Sequence, residues 1–130
     1  MNKAQKIHPC PCGGSNYSTC CEPFHLGSSL PETPEQLMRS RYSAYVNKNE
    51  PYLLQTWHSS TRPSEPIFSE ENTKWLGLSI KKAPAAIDNK GTVEFVAVYK
   101  IGGKAHRLSE ISNFVKENGR WVYLDGIFPS

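Results

Sequence analysis

Residues 91–127 read GTVEFVAVYKIGGKAHRLSEISNFVKENGRWVYLDGI, with apolar and polar side chains alternating over three successive segments. A period of two is typical of β-strands, because successive side chains point to opposite faces of a sheet. The pairs Gly102-Gly103 and Asn118-Gly119 separate the segments and favour the tight turns that close β-hairpins. The stretch therefore predicts three antiparallel strands, at residues 91–101, 104–116 and 121–127.

The preceding residues predict one more strand and two helices. Residues 75–83 also alternate with a period of two. Residues 33–36 (TPEQ) are typical of a helix start, with a capping threonine, a proline at the first helical position and a glutamine that can complete a capping box. This helix is expected to end near Lys48, and a shorter helix to start at residues 49–51 (NEP). Further predictions are a loop over 58–66 and a helical turn at 69–71.

Helices followed by four antiparallel strands predict an α+β fold, with the long helix lying across one concave face of a curved sheet. The chain has 130 residues, of which 38% are apolar and 21% charged. These values indicate one globular domain with a small appendage and argue against disorder. A formal net charge of +3 does not indicate a nucleic-acid partner. No apolar run approaches the roughly 20 residues that span a membrane, so no membrane association is expected.

The four cysteines, Cys10, Cys12, Cys20 and Cys21, all lie within twelve residues. A disulfide scaffold would spread its cysteines to join distant loops. Four thiolates from two neighbouring turns can instead surround one Zn²⁺ ion as a tetrahedron, with no coordination position left open. The spacing therefore predicts a structural zinc site.

Disulfide bonds, free buried thiols and an iron–sulfur cluster are the alternatives. Residues 1–9 contain lysines but no apolar run, so we expect no secretory signal and a cytoplasmic location, which disfavours disulfides. Adjacent Cys20 and Cys21 do not match the usual iron–sulfur spacings. A Cys₃His zinc site, in which His25 or His8 replaces one cysteine, stays open.

Several motifs together resemble a known family. CPCGG at 10–14, followed by Tyr17 and Cys20-Cys21, resembles the SEC-C motif, a small zinc knuckle also found at the C-terminus of the bacterial translocation motor SecA. The chain as a whole resembles the YchJ-like family of bacterial proteins. The matching stretches are CCEPFH at 20–25, TPEQLMRSRYSAY at 33–45, TWH at 56–58 and GRWVYLDG at 119–126.

The resemblance implies a fold but no activity. It implies a zinc knuckle and linker over residues 1–30 and a cone-like domain similar to nuclear transport factor 2 over residues 31–130. Folds of this cone type carry both enzymes and binding modules, so the fold alone does not determine the function.

A pocket between helix and sheet would need polar residues for chemistry. Glu110 shares a strand face with Leu108 and Phe114, so it is expected to point inward; Asp125 is expected inward on the last strand, with Tyr123 and Trp121. Arg41 and His58 are the candidates from the helical part.

A buried carboxylate needs a partner, so we expect Glu110 to pair with a residue between Arg39 and His58. The aromatic residues are expected to form core rather than a ligand cage.

Two functions from different classes follow. The first is a small zinc-binding adaptor whose knuckle contacts a protein or ribosomal partner, as the SecA resemblance suggests. The alternative is a cone-fold pocket enzyme, isomerase- or hydrolase-like, acting on a small apolar molecule. A cavity in which Glu110 and a histidine converge would favour the enzyme, and a cone filled by side chains would favour the adaptor.

Overall fold

The computed structural model of the chain describes residues 8–68 and 73–128. A short 3₁₀ turn and three helices come first: Tyr17–Thr19, then α1 Glu22–Leu26, α2 Pro34–Val46 and α3 Glu50–Gln55. Four strands follow: β1 Lys74–Lys82, β2 Lys90–Ile101, β3 Lys104–Glu117 and β4 Arg120–Ile127. The strands pair antiparallel in chain order. The α+β prediction is confirmed; the helical turn predicted at 69–71 lies outside the described residues.

The start of α2 follows the chemistry of its first turn. The Thr33 side chain accepts a hydrogen bond from the Gln36 backbone N–H, and Pro34 occupies the first helical position. The Gln36 side chain accepts from the backbone N–H of Glu32, one residue before the position of a regular capping box. The helix ends at Val46, two residues earlier than predicted.

Both predicted hairpin turns are confirmed. Gly102 and Gly103 have φ angles of 59° and 81°, and Asn118 and Gly119 have 56° and 80°. Two successive left-handed residues match the twist of the flanking strands, and glycine and asparagine adopt that conformation at low cost.

The core lies between α2 and the inner face of the sheet. In β2 the alternating residues Val93, Phe95 and Ala97 are buried, while Glu94 and Val96 between them are only partly covered. One cluster of buried apolar residues includes Leu37, Met38 and Tyr42 of α2, Val93, Phe95 and Ala97 of β2, and Phe114 and Trp121. The long helix therefore covers the concave face as predicted. Within residues 8–68 and 73–128, no helix is both long and apolar enough to span a membrane.

A β-bulge in β4 overturns the prediction for Asp125. Phe114 pairs with Tyr123 but Asn113 pairs with Asp125, so Leu124 is an extra residue in the strand. The extra residue reverses the alternation, and Asp125 lies on the outer, exposed face, where it accepts a hydrogen bond from Asn113 Nδ2 at 2.8 Å. Asp125 is therefore not a residue of the cone.

The same bulge turns Gly126 inward, opposite Ser112. A Cβ atom at Gly126 would overlap the Glu110 carboxylate, whereas one at Gly77 of β1 would meet nothing within 4 Å. Gly126→Ala is expected to lower the free energy of unfolding by about 1–3 kcal/mol through overpacking. Gly77→Ala, the control, should change it by less than about 0.5 kcal/mol. Denaturant unfolding of both variants measures this, and equal stabilities would show that Glu110 is not held against Gly126.

Candidate metal centre and cone cavity

Two tight turns bring the four cysteine side chains together. In the first, Cys10 N–H donates to Gly14 O and Gly13 N–H donates to Cys10 O, both at 2.9 Å. Gly13 has a φ of 109°, and a Cβ at Gly14 would lie only 2.7 Å from Cys20 Sγ. Both glycines are therefore required, one for its backbone conformation and one for space. The second turn, at Tyr17–Thr19, delivers Cys20 and Cys21.

The four Sγ atoms all lie within 4.8 Å of one another. Cys12 Sγ is 3.5 Å from Cys20 Sγ, which is 4.0 Å from Cys21 Sγ. A tetrahedron with Zn–S distances of 2.3 Å has sulfur–sulfur edges of about 3.8 Å, so the sulfurs already have the spacing of a ligand set. None of the four cysteines forms a disulfide, and all but the half-buried Cys20 are buried.

Hydrogen bonding and burial within the cluster shift the pKa of Cys12 down and the pKa values of Cys20 and Cys21 up. A hydrogen bond with Cys21 lowers the pKa of Cys12 to about 4. Donating that bond raises the pKa of Cys21, and burial raises the pKa of Cys20 to about 12. The Cys20 and Cys21 thiols resist ionisation because they are at least partly buried beside the Cys12 thiolate. A bound divalent cation would instead favour the ionised form of the thiols that coordinate it. The donor set therefore fits a metal that binds thiolates.

His25 is not positioned as a ligand. Its Nε2 lies 2.8 Å from the backbone oxygen of Ser40, so Nε2 carries the proton and donates. Its Nδ1 therefore accepts from the Tyr17 hydroxyl, at 2.7 Å. Burial lowers the pKa of His25 and favours this neutral form. Both ring nitrogens of His25 are therefore hydrogen-bonded, and the side chain links the knuckle to α2. His8 is exposed and lies outside the cysteine cluster.

His25→Ala is expected to retain the metal of the wild type but to lower the free energy of unfolding by about 1–3 kcal/mol. The loss comes from two hydrogen bonds and from the ring contact with Tyr52, whose centroid lies 4.7 Å away. Elemental analysis and urea unfolding of one preparation measure both quantities. His8→Ala is the control and should change neither. Loss of the metal from the His25→Ala protein would show that His25 is one of the metal ligands.

The knuckle is also packed into the main core. Arg39 Nη1 donates to Cys12 O at 2.9 Å, and Cys10 Sγ lies 3.4 Å from Ser43 Oγ. Cys10, Cys12 and Cys21 belong to the same buried cluster as the apolar residues of α2 and β2. The boundary between 1–30 and 31–130 stays a prediction, but the contacts join the two segments.

A second site is a cavity of about 100 Å³ between α2 and the sheet. Most of its lining is aromatic or aliphatic, and two residues carry charge. The lining residues are Met38, Arg41, Tyr42, Tyr45, Trp75, Phe95, Ala97, Leu108, Glu110, Ser112 and Tyr123.

Glu110 points inward as predicted and is 7% exposed, but its predicted partner is wrong. Its Oε2 accepts from Ser112 Oγ at 3.0 Å and from Tyr123 Oη at 2.8 Å. Burial and the neighbouring Glu110 raise the pKa of Tyr123, so the hydroxyl keeps its proton and donates. A tyrosine and a serine from the sheet thus take the place of the helical residues expected between Arg39 and His58, because Arg39 pairs with Glu35 at 2.9 Å instead.

Arg41 is 4% exposed and lines the same cavity. Its Nη1 donates to Leu53 O at 2.9 Å and to Thr56 Oγ1 at 2.7 Å. The guanidinium carbon lies 4.9 Å from the ring centres of both Trp57 and Tyr123. The position of Arg41 is therefore fixed by backbone acceptors and two aromatic faces, and no carboxylate of residues 8–68 or 73–128 forms a direct ion pair with it.

His58 lies outside the cavity. Its Nδ1 accepts from Ser60 N–H at 3.0 Å, and its Nε2 lies 3.6 Å from Glu117 Oε2. No histidine among the described residues lines the cavity. The arrangement that would favour an acid–base enzyme, a carboxylate converging with a histidine, does not form in this part of the chain.

Comparisons with known proteins agree with this architecture. The family description "YchJ, middle NTF2-like domain" matches residues 33–126. A UPF0225 protein of Ralstonia nicotianae is 50% identical over 128 residues, covering 90% of this chain and 89% of its own length. One of Cupriavidus metallidurans is 51% identical over 124 residues, covering 91% and 87%.

Two solved structures are also similar. The solution structure of a SEC-C motif containing protein from Rhodopseudomonas palustris has a TM-score of 0.81 and 32% identity, covering 95% of this chain and 100% of that one. The crystal structure of a SEC-C motif containing protein from Psychrobacter arcticus has a TM-score of 0.75 and 25% identity, covering 95% and 84%. Both likenesses extend over the knuckle and the sheet together.

Proposed function

The chain belongs to the YchJ, or UPF0225, family, and from that premise we propose that it is a small zinc-binding adaptor whose knuckle contacts another protein. The observation that carries this is the closed cluster of four cysteines fixed on α2. A site with four protein ligands has no open position for substrate, so its metal stabilises a surface rather than performing chemistry.

Zinc is the metal that this donor set favours. Thiolate ligands with tetrahedral spacing select Zn²⁺ or iron–sulfur clusters over hard cations such as Mg²⁺ or Ca²⁺. Two solved relatives are described as SEC-C motif containing proteins, and the CPCGG and Cys20-Cys21 pattern of this chain resembles that motif. The clustering of all four sulfurs supports a single ion per chain.

An apolar surface beside the knuckle supports a protein partner. Leu26 ends α1 and is 74% exposed, and Leu30 is 51% exposed. Between them Gly27 turns the chain with a φ of 83°. Contiguous exposed apolar patches mark sites of protein contact, and we propose that these two leucines belong to one. Because α1 starts directly after Cys21, metal binding fixes the direction in which this surface points.

Site-specific photo-crosslinking tests the proposal. A photoreactive phenylalanine at Leu26 is expected to give a discrete protein adduct in a bacterial lysate, and chelation of the metal should remove it. Ile87, a 72% exposed residue between β1 and β2, is the matched control and should give no such adduct. A ribosomal protein in the adduct would identify the ribosome as the partner. Equal labelling from both positions, or none from Leu26, would contradict the proposal.

A further inference from the structure

We propose that the cone cavity binds a small neutral molecule that has an apolar body and one hydrogen-bond donor. This site is separate from the knuckle and from the partner contact proposed for it. Three features of the cavity support this assignment: its size, its aromatic walls and the two opposite charges that line it.

The size and walls of the cavity fit a single ring. An engineered apolar cavity of about 150 Å³ in another protein binds benzene, and this one measures about 100 Å³ before any side chain moves. Its aromatic residues pack against one another: the ring centre of Trp75 lies 5.8 Å from that of Tyr42 and 6.0 Å from that of Tyr45. Such walls favour a flat apolar body.

The polar end of the cavity provides an acceptor. Glu110 Oε2 is held by Ser112 and Tyr123, and Gly126 leaves the space in which the carboxylate lies. Its other oxygen, Oε1, accepts no hydrogen bond from the residues that the structure describes. A carboxylate fixed through one oxygen, with the other available, selects a ligand that donates a hydroxyl or N–H.

The charges of the cavity require a neutral ligand. Arg41 and Glu110 are both at least nine-tenths buried and line the same space, so their charges balance. An ionic ligand would be attracted by one of these residues and repelled by the other, with little net electrostatic gain, and it would lose its hydration on entering. A neutral molecule with a donor loses little hydration and satisfies the carboxylate.

Phenol, benzene and benzoate are suitable probes, because they share one ring and differ in the polar group. Titration of isotope-labelled full-length protein by NMR reports which residues contact the probe. We expect phenol to shift the resonances of Ala97, Leu108 and Ser112, and to bind at least tenfold more tightly than benzoate. Benzene should bind at the same residues but more weakly than phenol, because it cannot donate to Glu110.

Two variants sharpen the test. Glu110→Gln keeps the shape and removes the charge of the acceptor, and should weaken phenol binding about tenfold. Ala97→Leu fills the cavity from the sheet side and should abolish phenol binding. Amide spectra report whether each variant folds. The comparison of phenol, benzene and benzoate on the wild-type protein tests the proposal even if neither variant folds. Phenol shifts confined to surface residues, equal binding of phenol and benzoate, or unchanged binding by folded Ala97→Leu would overturn the proposal.

Discussion

Replacing Cys21 by serine is expected to remove most of the metal from the purified protein and to cause the largest loss of stability of any single substitution in the knuckle. Cys21 is 1% exposed and lies in the main core cluster. Structural zinc sites supply on the order of 10–16 kcal/mol of apparent binding free energy, and a three-ligand remnant keeps only part of it. Ser15→Ala, at an exposed position of the same knuckle, is the control and should leave both metal content and stability unchanged.

Hydrogen exchange before and after chelation locates this loss. The amides of residues 8–25 are expected to lose protection, since their turns are held by the sulfur cluster. The sheet is expected to stay folded, because its hairpins and apolar core do not need the metal, but to be less stable because the contacts of Cys12 O and Ser40 O with the other segment are lost. Unchanged exchange in the knuckle would contradict a structural role for the metal, and complete loss of sheet protection would show that the knuckle is required for the fold.

Arg41→Met is expected to lower the free energy of unfolding by about 3–5 kcal/mol. The methionine matches the aliphatic stem of arginine but removes the guanidinium hydrogen bonds to the backbone oxygens of Leu53 and Thr56 in a buried site. These oxygens then keep the Thr56 hydroxyl and the Tyr123 N–H as donors. The substitution also leaves the buried carboxylate of Glu110 without the nearby cation. Denaturant unfolding measures the change.

Arg62→Ala is the matched control for this prediction. Arg62 also donates to a backbone oxygen, that of Trp57 at 3.0 Å, but is exposed, so its loss should cost less than about 1 kcal/mol. Equal losses in the free energy of unfolding for the two substitutions would show that the burial of Arg41 contributes nothing to stability. The electrostatic balance of the cavity would then need another explanation.

The parts of the fold that the sequence predicted are those determined by local chemistry. The hairpins depend on glycine and asparagine at left-handed positions, and the start of α2 on Thr33 and Pro34. The cysteine cluster was predictable for the same reason, because its ligands are close in sequence and their chemistry is specific.

What could not be predicted depends on contacts between distant residues or on one extra residue. The apolar and polar alternation of β4 does not reveal the bulge at Leu124, and it therefore predicts the wrong face for Asp125. The contacts of His25 with Ser40 and of Arg39 with Cys12 span 15 and 27 residues. Sequence spacing alone does not show that these side chains meet, and so it did not exclude His25 from the ligand set.

X-ray absorption at the zinc edge, on protein purified without added metal, tests most directly that Cys10, Cys12, Cys20 and Cys21 form a closed zinc site. The expected result is about one zinc per chain, surrounded by four sulfur atoms at about 2.3 Å. A first shell that contains nitrogen, or a metal-free protein in which the four thiols have become two disulfides, would contradict it.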